Sequence, residues 1–473
     1  MSRRILFVSS EVYPFAKTGG LADVSHSLPR ALNAIYNVEV VMPLYRSIDK
    51  EKYNISPWGK PFDLLMGGVS YPLQFHSCTF EGIKYLFIYT PCLCDREFLY
   101  GTHEAGYEDN AIRFGLFSWA IMLLLKGEHY DIVHLNDWQS ALVALLVNEE
   151  SLISTKTIFT IHNLAYQGVF EHSVLKFIGI DERYFTMDAL EFYNKVNFIK
   201  AGIAYAQSVT TVSPTYAKEI LSHKYGCGLE GFLELHSYKL RGILNGIDAE
   251  HFSPVSDTAL VATYNSVKGK RVSKSAFLKH IKLKGVTKPL FVFIGRFAEQ
   301  KGMDLLIESL DKIAHMDCNI ALLGEGANHF HEELTLLSQR HKNIHLTIKY
   351  DEAFAHQMYA ASDFLLMPSL FEPCGLNQMI AFAYGSIPIV HHVGGLADTV
   401  KRFDGYDAAS SYGYGVLFNT PKSRSFVGAV QKALDLYSDK KLFEEIANHN
   451  MKCDFSWTKS AKIYSDLYEK LLK

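Results

Sequence analysis

Paired cysteines and long apolar runs are both missing from this 473-residue chain. Its seven cysteines are an odd number and form no C-x-x-C pair, which argues against a disulfide framework and a structural zinc site. No apolar stretch approaches the roughly 20 residues of a membrane-spanning helix. The apolar run after Arg3-Arg4 stops at Ser9-Ser10-Glu11, too early for the core of a signal peptide. These absences predict a soluble protein of a reducing cytoplasm, with no membrane partner.

An excess of one charge and the dinucleotide-binding fingerprint are also absent. The formal net charge is −3 at pH 7 and no block of like charges occurs, which argues against general binding to nucleic acids. The pattern G-x-G-x-x-G does not follow the first apolar run, which argues against an NAD-dependent enzyme. A local basic site in this nearly neutral chain is therefore informative.

What the chain does contain is the string Gly-Gly-Leu-Ala-Asp twice, at Gly19–Asp23 and at Gly394–Asp398. Each copy follows a short apolar run of the kind that forms a buried strand. Paired glycines let a ligand approach the backbone closely, and the start of a helix presents N–H groups to an anion. Two nearly identical loops near opposite ends predict two similar halves that face one ligand.

Short apolar runs alternate with amphipathic stretches, and after Asn245-Gly246 the alternation restarts. This alternation is typical of parallel βαβ units, so two sets of six strands predict two doubly wound, Rossmann-like α/β domains. The predicted strands are Ile5–Ser9, Val38–Met42, Tyr85–Tyr89, Ile132–Leu135, Thr157–Ile161 and Val209–Val212, then Leu290–Ile294, Ile320–Leu323, Ile344–Ile348, Phe364–Met367, Pro388–Val390 and Val416–Phe418.

A turn dipeptide within Leu244-Asn-Gly-Ile-Asp248 predicts the boundary between the domains. The first domain then covers residues 1–243 and the second residues 244–455. Residues 456–473 have a helical apolar rhythm, and we expect a helix there that crosses back to the first domain. Ligands of open α/β sheets bind beyond the carboxyl ends of the strands, so we expect the domains to face each other across a cleft.

Three cations stand at predicted strand ends or helix starts. Lys17 lies beside the first glycine loop, while Arg296 ends a strand and Lys301 opens the next helix. Such cations suit a diphosphate. The alternative for Lys17 is a tight turn with a solvated lysine, and for the other two it is an interdomain salt bridge.

Polar groups follow two strands of the first half. Asp137 comes after Ile132–Leu135, and His162 comes after Thr157–Ile161. A lone histidine at such a position is more often structural. Because Glu11 belongs to the same predicted edge of the sheet, we favour a functional site.

The segment Phe371-Glu-Pro-Cys-Gly-Leu376 lies between a predicted strand and a predicted helix. Gly375, Leu376 and Asn377 would present backbone N–H groups to an anion there. Glu372 stands just outside the turn, where a carboxylate could hold sugar hydroxyls. The alternative for Glu372 is an ordinary acid at a helix start.

No two aspartates stand two positions apart, so the chain has no D-x-D metal-binding pair. If a nucleoside diphosphate leaves at this site, Arg296, Lys301 and helix N-termini must neutralise its charge in place of Mg²⁺ or Mn²⁺. We therefore expect no metal and no other cofactor.

These motifs together resemble those of bacterial glycogen synthases, the family that also includes plant starch synthases. They span nearly the full length in the family's order. The matching segments are Lys17–Asp23, Asn136–Trp138, His162–Gly168, Lys200–Gly202, Val212–Tyr216, Leu244–Asp248, Gly295–Gly302, Phe371–Gly375 and Gly394–Val400.

The resemblance implies the GT-B arrangement of two domains and a retaining α-glucosyltransferase. Such an enzyme moves glucose from ADP-glucose to the non-reducing end of an α-1,4-glucan such as glycogen, and releases ADP. It implies that the diphosphate is held by Lys17, Gly19, Gly20, Arg296 and Lys301, and that the adenine lies against Tyr350. It also implies that the transferred glucose is surrounded by Asp137, His162, Asn245 and Glu372, and that Asp23 and Cys374 lie close to this glucose.

The chain departs from the family pattern at a few positions. Ile380 stands where many retaining GT-B enzymes carry the second glutamate of E-x7-E, and Gln139 replaces the histidine of D-W-H. Cys94 replaces an aromatic residue, and Val393 replaces a threonine. The alternatives left open are another GT-B sugar transferase, a glucan phosphorylase, and a catalytically silent binding protein.

Overall fold

Parallel strand pairing dominates the two large sheets of this protein. A computed structural model describes residues 3–102 and 105–473, which separate into two compact units. Within the described ranges, unit 1 comprises residues 3–102, 105–212, 217–244 and 457–473, and unit 2 comprises residues 213–216 and 245–456.

The strands of unit 1 form a nine-stranded sheet in the order β12-β11-β7-β6-β1-β2-β5-β4-β3 and a three-stranded sheet in the order β8-β10-β9. Their bounds are β1 (Arg4–Val8), β2 (Asn37–Pro43), β3 (Ser56–Met66), β4 (Val69–Phe80), β5 (Ile83–Tyr89), β6 (Ile132–Asn136), β7 (Lys156–Ile161), β8 (Val169–Glu171), β9 (Glu191–Phe192), β10 (Lys195–Asn197), β11 (Ser208–Thr211) and β12 (Leu240–Gly242). The pairing is parallel from β12 to β5 and antiparallel between β5, β4 and β3.

Helices connect these strands in the way that parallel pairing requires. Those before residue 245 are α1 (Gly20–Asn33), α2 (Pro91–Cys94), α3 (Asn110–Gly127), α4 (Trp138–Glu149), α5 (Val174–Ile178), α6 (Phe198–Tyr205), α7 (Pro214–Glu219) and α8 (Glu230–Leu235). The first residues of α7 cluster with unit 2.

Unit 2 contains one seven-stranded parallel sheet in the order β15-β14-β13-β16-β17-β19-β18. Its strands are β13 (Leu290–Ile294), β14 (Asn319–Gly324), β15 (Ile344–Ile348), β16 (Phe364–Met367), β17 (Ile387–His391), β18 (Val400–Arg402) and β19 (Gly413–Phe418). Its helices are α9 (Lys270–His280), α10 (Met303–Ala314), α11 (Asn328–Arg340), α12 (Glu352–Ala361), α13 (Asn377–Ala383), α14 (Gly394–Thr399), α15 (Ser423–Ser438) and α16 (Lys440–Asn450).

The last helix, α17 (Trp457–Leu471), belongs to unit 1 and packs against α1. Its Tyr468 hydroxyl lies 2.7 Å from Nδ1 of His134 on β6, and Nε2 of that histidine lies 2.6 Å from Thr160 Oγ1 on β7. Burial lowers the pKa of His134 to about 3. A neutral histidine therefore links the C-terminal helix to the centre of the sheet. None of the helices in the described ranges is both long and apolar enough to cross a bilayer.

All twelve predicted strands are present, which confirms the α/β fold class. The sequence missed the hairpin β3–β4, because much of β3 is exposed and its residues lack a continuous apolar run. The predicted domain boundary at residue 244 lies beside the break at Asn245. Residues 213–216 cluster with unit 2, although the sequence placed them in the first domain.

Candidate active site

A buried carboxylate holds the first glycine loop. Glu11 is 4% exposed, and its Oε2 accepts the backbone N–H groups of Thr18 at 2.5 Å and Gly19 at 3.2 Å. Its Oε1 accepts the hydroxyls of Thr18 and Tyr100, both at 2.7 Å. The loop continues directly into α1 at Gly20.

This arrangement bears on the contact predicted for Gly19. The sequence assigns Gly19 and Gly20 to a diphosphate, but the Gly19 N–H already donates to Glu11. Gly20 opens α1, where the N–H groups of the first turn have no acceptor within the helix. Gly20 is therefore the better candidate for an anion. A Cβ atom at Gly19 would meet no heavy atom within 4 Å, so the space beside this loop is open.

Lys17 and Asp23 form an ion pair across the same loop. Lys17 Nζ lies 2.7 Å from Asp23 Oδ1, and the two side chains are 22% and 27% exposed. Partly exposed pairs of this kind are weak, so a diphosphate could compete with Asp23 for the lysine. The structure therefore brings together two of the predicted site residues.

Asp137 and His162 also meet at this edge of the unit 1 sheet. Asp137 precedes α4 with a φ of 55°, a left-handed conformation that residues other than glycine seldom adopt. Its Oδ1 accepts the backbone N–H of His162 at 2.7 Å. The ring Nε2 of His162 lies 2.9 Å from Asn136 Oδ1. Because the Asn136 amide nitrogen donates to the Val8 carbonyl at 2.9 Å, Nε2 of a neutral His162 carries the proton and Nδ1 is an acceptor.

Burial sets the ionisation of this pair. It lowers the pKa of His162 to about 3, so the ring is neutral at pH 7. It raises the pKa of Asp137 to about 7, opposed by the N–H groups of His162 and Asn163 and reinforced by the charge of Glu11. A carboxyl group that titrates near neutrality at the end of a strand favours a functional site.

In unit 2, Lys301 and Glu372 form an ion pair at the carboxyl ends of the strands. Glu372 is 5% exposed, and its Oε2 accepts Lys301 Nζ at 2.6 Å and the Ser369 hydroxyl at 3.0 Å. Lys301 ends a short 3-10 turn, and Gly302, with a φ of 72°, is the N-cap residue before α10. A Cβ atom at Gly302 would lie 2.1 Å from the Pro368 carbonyl oxygen, so only glycine allows this close approach.

This pairing joins two residues for which the sequence predicts different ligand groups. The sequence places Lys301 at a diphosphate and Glu372 at a sugar, with an interdomain salt bridge as the alternative for the lysine. The structure forms the salt bridge within unit 2, between the two predicted site residues themselves. Lys301 neutralises the buried Glu372 carboxylate. A ligand that binds Lys301 in place of Glu372 would leave the charge of this carboxylate without its partner.

Arg296 and Tyr350 follow other strands at the same edge of the sheet. Arg296 comes two residues after β13 and is exposed. Tyr350 comes two residues after β15 and is 66% exposed. The next residue, Asp351, caps α12 by accepting the Phe354 N–H at 2.8 Å. The exposed positions of Arg296 and Tyr350 are compatible with their predicted contacts to a nucleotide.

The loop after β16 is tied to its neighbours by specific bonds. Burial raises the pKa of the Cys374 thiol to about 12, so this thiol is protonated at neutral pH. Gly375 has a φ of 73°, a conformation that favours glycine. Leu376 precedes α13 and Asn377 begins it. The Asn377 side-chain amide donates to the Ile294 carbonyl at 2.6 Å, which fixes this loop against the end of β13.

The second glycine loop has a different role from the first. The Gly395 N–H donates to the Glu372 carbonyl oxygen at 3.0 Å. A Cβ atom at Gly395 would lie 2.2 Å from the Cys374 carbonyl oxygen, so the glycine is needed for this close approach. Asp398 accepts the N–H and hydroxyl groups of Thr215 at 2.8 and 2.7 Å. This copy supports the Glu372 loop, whereas the first copy lies beside Lys17.

Asn245 contributes a buried carbonyl oxygen to the same region of unit 2. Asn245 is 6% exposed, and its side-chain oxygen Oδ1 has no hydrogen-bond partner within the described part of the chain. The backbone of Asn245 opposes the burial that raises the pKa of the Cys374 thiol. A buried oxygen without a partner costs free energy that a ligand hydroxyl could recover.

Sequence reasoning missed three residues that hold these loops. Tyr100 bonds to Glu11, Ser369 bonds to Glu372, and the Gln378 amide donates to the carbonyls of residues 374 and 375 at 3.1 and 3.0 Å. Gln378 lies in the helix that follows a recognised motif, which is a usable signal. The tyrosine and serine contacts depend on tertiary structure.

Comparisons with known proteins agree along the whole chain. The family model "Starch synthase catalytic domain" matches residues 4–235, and "Glycosyl transferases group 1" matches residues 275–450. The curated glycogen synthase of Aquifex aeolicus is 41% identical over 474 residues, which cover 99% of each chain. That of Geotalea daltonii is 39% identical over 484 residues, with the same coverage.

Solved structures show the same similarity at the level of the fold. The catalytic domain of starch synthase IV from Arabidopsis thaliana, bound to ADP and acarbose, has a TM-score of 0.93, 33% identity and full coverage of both chains. A sucrose-phosphate synthase from Thermosynechococcus elongatus, at 17% identity and a TM-score of 0.64 over 99% of both chains, shares the fold alone. With the predicted GT-B fold confirmed, the chain belongs to the glycogen and starch synthase family of glycosyltransferases.

Proposed function

We propose that this chain transfers glucose from ADP-glucose to the non-reducing end of an α-1,4-glucan, with retention of configuration and release of ADP. The observation that carries this proposal is the ion pair between partly exposed Lys301 and buried Glu372, 2.6 Å apart. It places a cation suited to phosphate beside a carboxylate suited to sugar hydroxyls. Membership of the family and the ADP and acarbose bound to the plant enzyme support the same substrates.

The cations would act on the leaving group. Negative charge grows on the diphosphate as the bond between glucose and phosphate breaks, so Lys301, Arg296 and Lys17 would bind the transition state more tightly than the ground state. Lys301 would then exchange its contact with Glu372 for the phosphate. Because the chain has no D-x-D pair, we propose that this step uses no divalent ion.

The carboxylates would act on the sugar. The transferred glucose becomes positive in an oxocarbenium-like transition state, which an ionised Asp137 or Glu372 would stabilise. Cys374 is protonated and so is not a thiolate nucleophile, and we propose a route without a covalent enzyme intermediate. The departing phosphate would accept the proton of the incoming 4-hydroxyl, with backbone near His162 shielding the sugar.

The test is a turnover assay on glycogen with ADP-glucose and UDP-glucose as parallel donors. We expect ADP release and incorporation of α-1,4-linked glucose, with ADP-glucose the better donor. Exclusive use of UDP-glucose would contradict the donor assignment. Transfer to a small sugar would favour another nucleotide-sugar transferase. Phosphate-dependent release of glucose 1-phosphate would favour a glucan phosphorylase. Binding of the substrates without turnover would favour a catalytically silent protein.

A further inference from the structure

A second polar cluster in unit 2 contains a buried histidine nitrogen without a partner. His356 on α12 is 5% exposed, and its Nδ1 lies 2.8 Å from Asp257 Oδ2. Its Nε2 is buried and has no hydrogen-bond partner in residues 3–102 and 105–473. Leaving such an atom unsatisfied costs free energy, so a group from outside the chain is expected to contact it.

Two further side chains offer ligand atoms at the same place. Glu352 lies one helical turn before His356 on α12, so both side chains share one face. His251, from the segment that precedes α9, has its Nε2 3.6 Å from Glu352 Oε1. One ligand atom from each of the three residues lies within 4.8 Å of the other two.

The orientation of the imidazole rings fits coordination of one ion. The ring centroids of His251 and His356 lie 5.0 Å apart, and their planes meet at 78°. Two imidazoles bound to a tetrahedral zinc ion at about 2.0–2.1 Å place their centroids ~5 Å apart. The separation of the rings therefore matches that of a shared metal ion.

We propose that His251, Glu352 and His356 bind one divalent transition-metal ion, for which zinc is the best match. Two imidazole nitrogens and one carboxylate oxygen form a ligand set that suits zinc, with water in the fourth position. Asp257 is the outer partner: it accepts the Nδ1 proton of His356 and so leaves the Nε2 lone pair for the metal. The Tyr384 hydroxyl donates to the same Asp257 oxygen at 2.5 Å and fixes its position.

The bound ion would fasten the segment before α9 to the N-terminal turn of α12. It shares no ligand with the Lys301–Glu372 pair, so its role is structural and separate from glucosyl transfer. This site departs from the expectation of a chain without metal. That expectation depended on cysteine spacing and on aspartate pairs, and neither pattern detects histidines on distant segments.

A second trio, Asp311, His315 and His341, also has ligand atoms within 4.8 Å of one another. There, however, Nε2 of His341 already lies 2.9 Å from Asp311 Oδ1, and the His315 side chain is 70% exposed. No buried orphan nitrogen belongs to this trio among the described residues. It provides a matched control for histidine replacement.

The experiment uses the full chain without a histidine tag. The protein is stripped with a chelator and dialysed, and Zn²⁺ is titrated against a chromophoric chelator. We expect one Zn²⁺ per chain, at least tenfold weaker binding in His251→Gln and in Glu352→Gln, and unchanged affinity in His315→Gln. The His251 and Glu352 side chains are 36% and 35% exposed, so these variants are expected to fold.

Thermal unfolding provides a second measurement. Zn²⁺ should raise the Tm of the native chain but not that of Glu352→Gln, because only a folded site binds the ion. Absence of stoichiometric binding, equal affinity in Glu352→Gln, or loss of binding in His315→Gln would each overturn the proposal.

Discussion

Lys301 and Glu372 neutralise each other in the unligated protein, and this governs what each replacement should do. Lys301→Ala removes a cation that we propose binds the diphosphate, and it should weaken ADP binding and lower kcat by roughly 10²–10³-fold. Glu372→Gln should also lower kcat, because the proposed role of this carboxylate is to stabilise the positive sugar. It should bind ADP as tightly as the native chain or more tightly, since Lys301 loses its anionic partner.

Calorimetry with ADP and initial-rate kinetics separate these effects. Lys312→Ala serves as the control for net charge, because Lys312 lies on α10 beside the Ser423 hydroxyl. Its ADP affinity and kcat should match those of the native chain. If Glu372→Gln lost ADP affinity as severely as Lys301→Ala, the placement of Glu372 at the sugar would be wrong.

Asp137 should make kcat/KM fall on the acid side of the pH–rate profile, with the fall (the acid limb) beginning near neutrality. Its carboxyl group has a pKa of about 7, raised chiefly by burial, so it becomes protonated as the pH falls below 7. A protonated Asp137 cannot stabilise a positive sugar, and kcat/KM should therefore fall on that side. In Asp137→Asn this limb should be absent and the rate low throughout, whereas Asp435→Asn on α15 should keep the native profile. An unchanged acid limb in Asp137→Asn would assign it to another group.

At the scale of elements, the Glu372 loop depends on its close contact with α14. Gly395→Ala would place a Cβ atom 2.2 Å from the Cys374 carbonyl oxygen, which forces the backbone apart at a cost of about 1–3 kcal/mol. We expect a lower Tm by circular dichroism and a lower kcat. Gly428→Ala on α15, where a Cβ atom would meet nothing within 4 Å, should leave the Tm unchanged or raise it. Equal effects of the two variants would contradict this account.

The link between α17 and β6 should make unit 1 sensitive to acid. His134 has a pKa of about 3 when folded, lowered by burial, and about 6.5 when unfolded. Between these values the unfolded chain binds a proton that the folded chain does not, so stability is lost as the pH falls below 6.5. His134→Gln should reduce this slope by about 1.4 kcal/mol per pH unit, and His315→Gln should not.

Urea unfolding followed by tryptophan fluorescence measures this slope for unit 1. All four tryptophans, at positions 58, 119, 138 and 457, belong to that unit. His162 has a similarly lowered pKa and adds to the loss, while Asp137 opposes it. A slope that stays the same in His134→Gln would show that the histidine is protonated in the folded state.

The parts of this structure that local pattern controls were predictable from the sequence. Most of the buried parallel strands are short apolar runs, and both glycine loops open helices as expected. The exposed hairpin β3–β4 was missed, because its strands are specified by pairing and not by an apolar run. The bond from Gly19 to Glu11 and the pair of Lys301 with Glu372 join residues that meet only after folding.

At the scale of the whole molecule, each of the two units contributes residues to the proposed reaction. The residues proposed for it are Lys17, Asp137 and His162 of unit 1 and Lys301 and Glu372 of unit 2. We propose that these protein groups, without a divalent ion, carry out a retaining transfer. An assay that contains a chelator needs two control variants. Glu372→Gln shows the rate when the proposed sugar carboxylate is lost, and Glu352→Gln shows the rate when only the separate zinc site is lost.

The most direct test is NMR observation of glucan synthesis from ADP-glucose in the presence of excess EDTA. New α-1,4 linkages should form at the rate seen without EDTA if, as proposed, Lys301, Arg296 and Lys17 neutralise the leaving diphosphate. Newly formed β linkages would contradict retention. A rate that collapses in EDTA and returns with Mg²⁺ or Mn²⁺ would contradict the claim that the protein's own cations stabilise the leaving group.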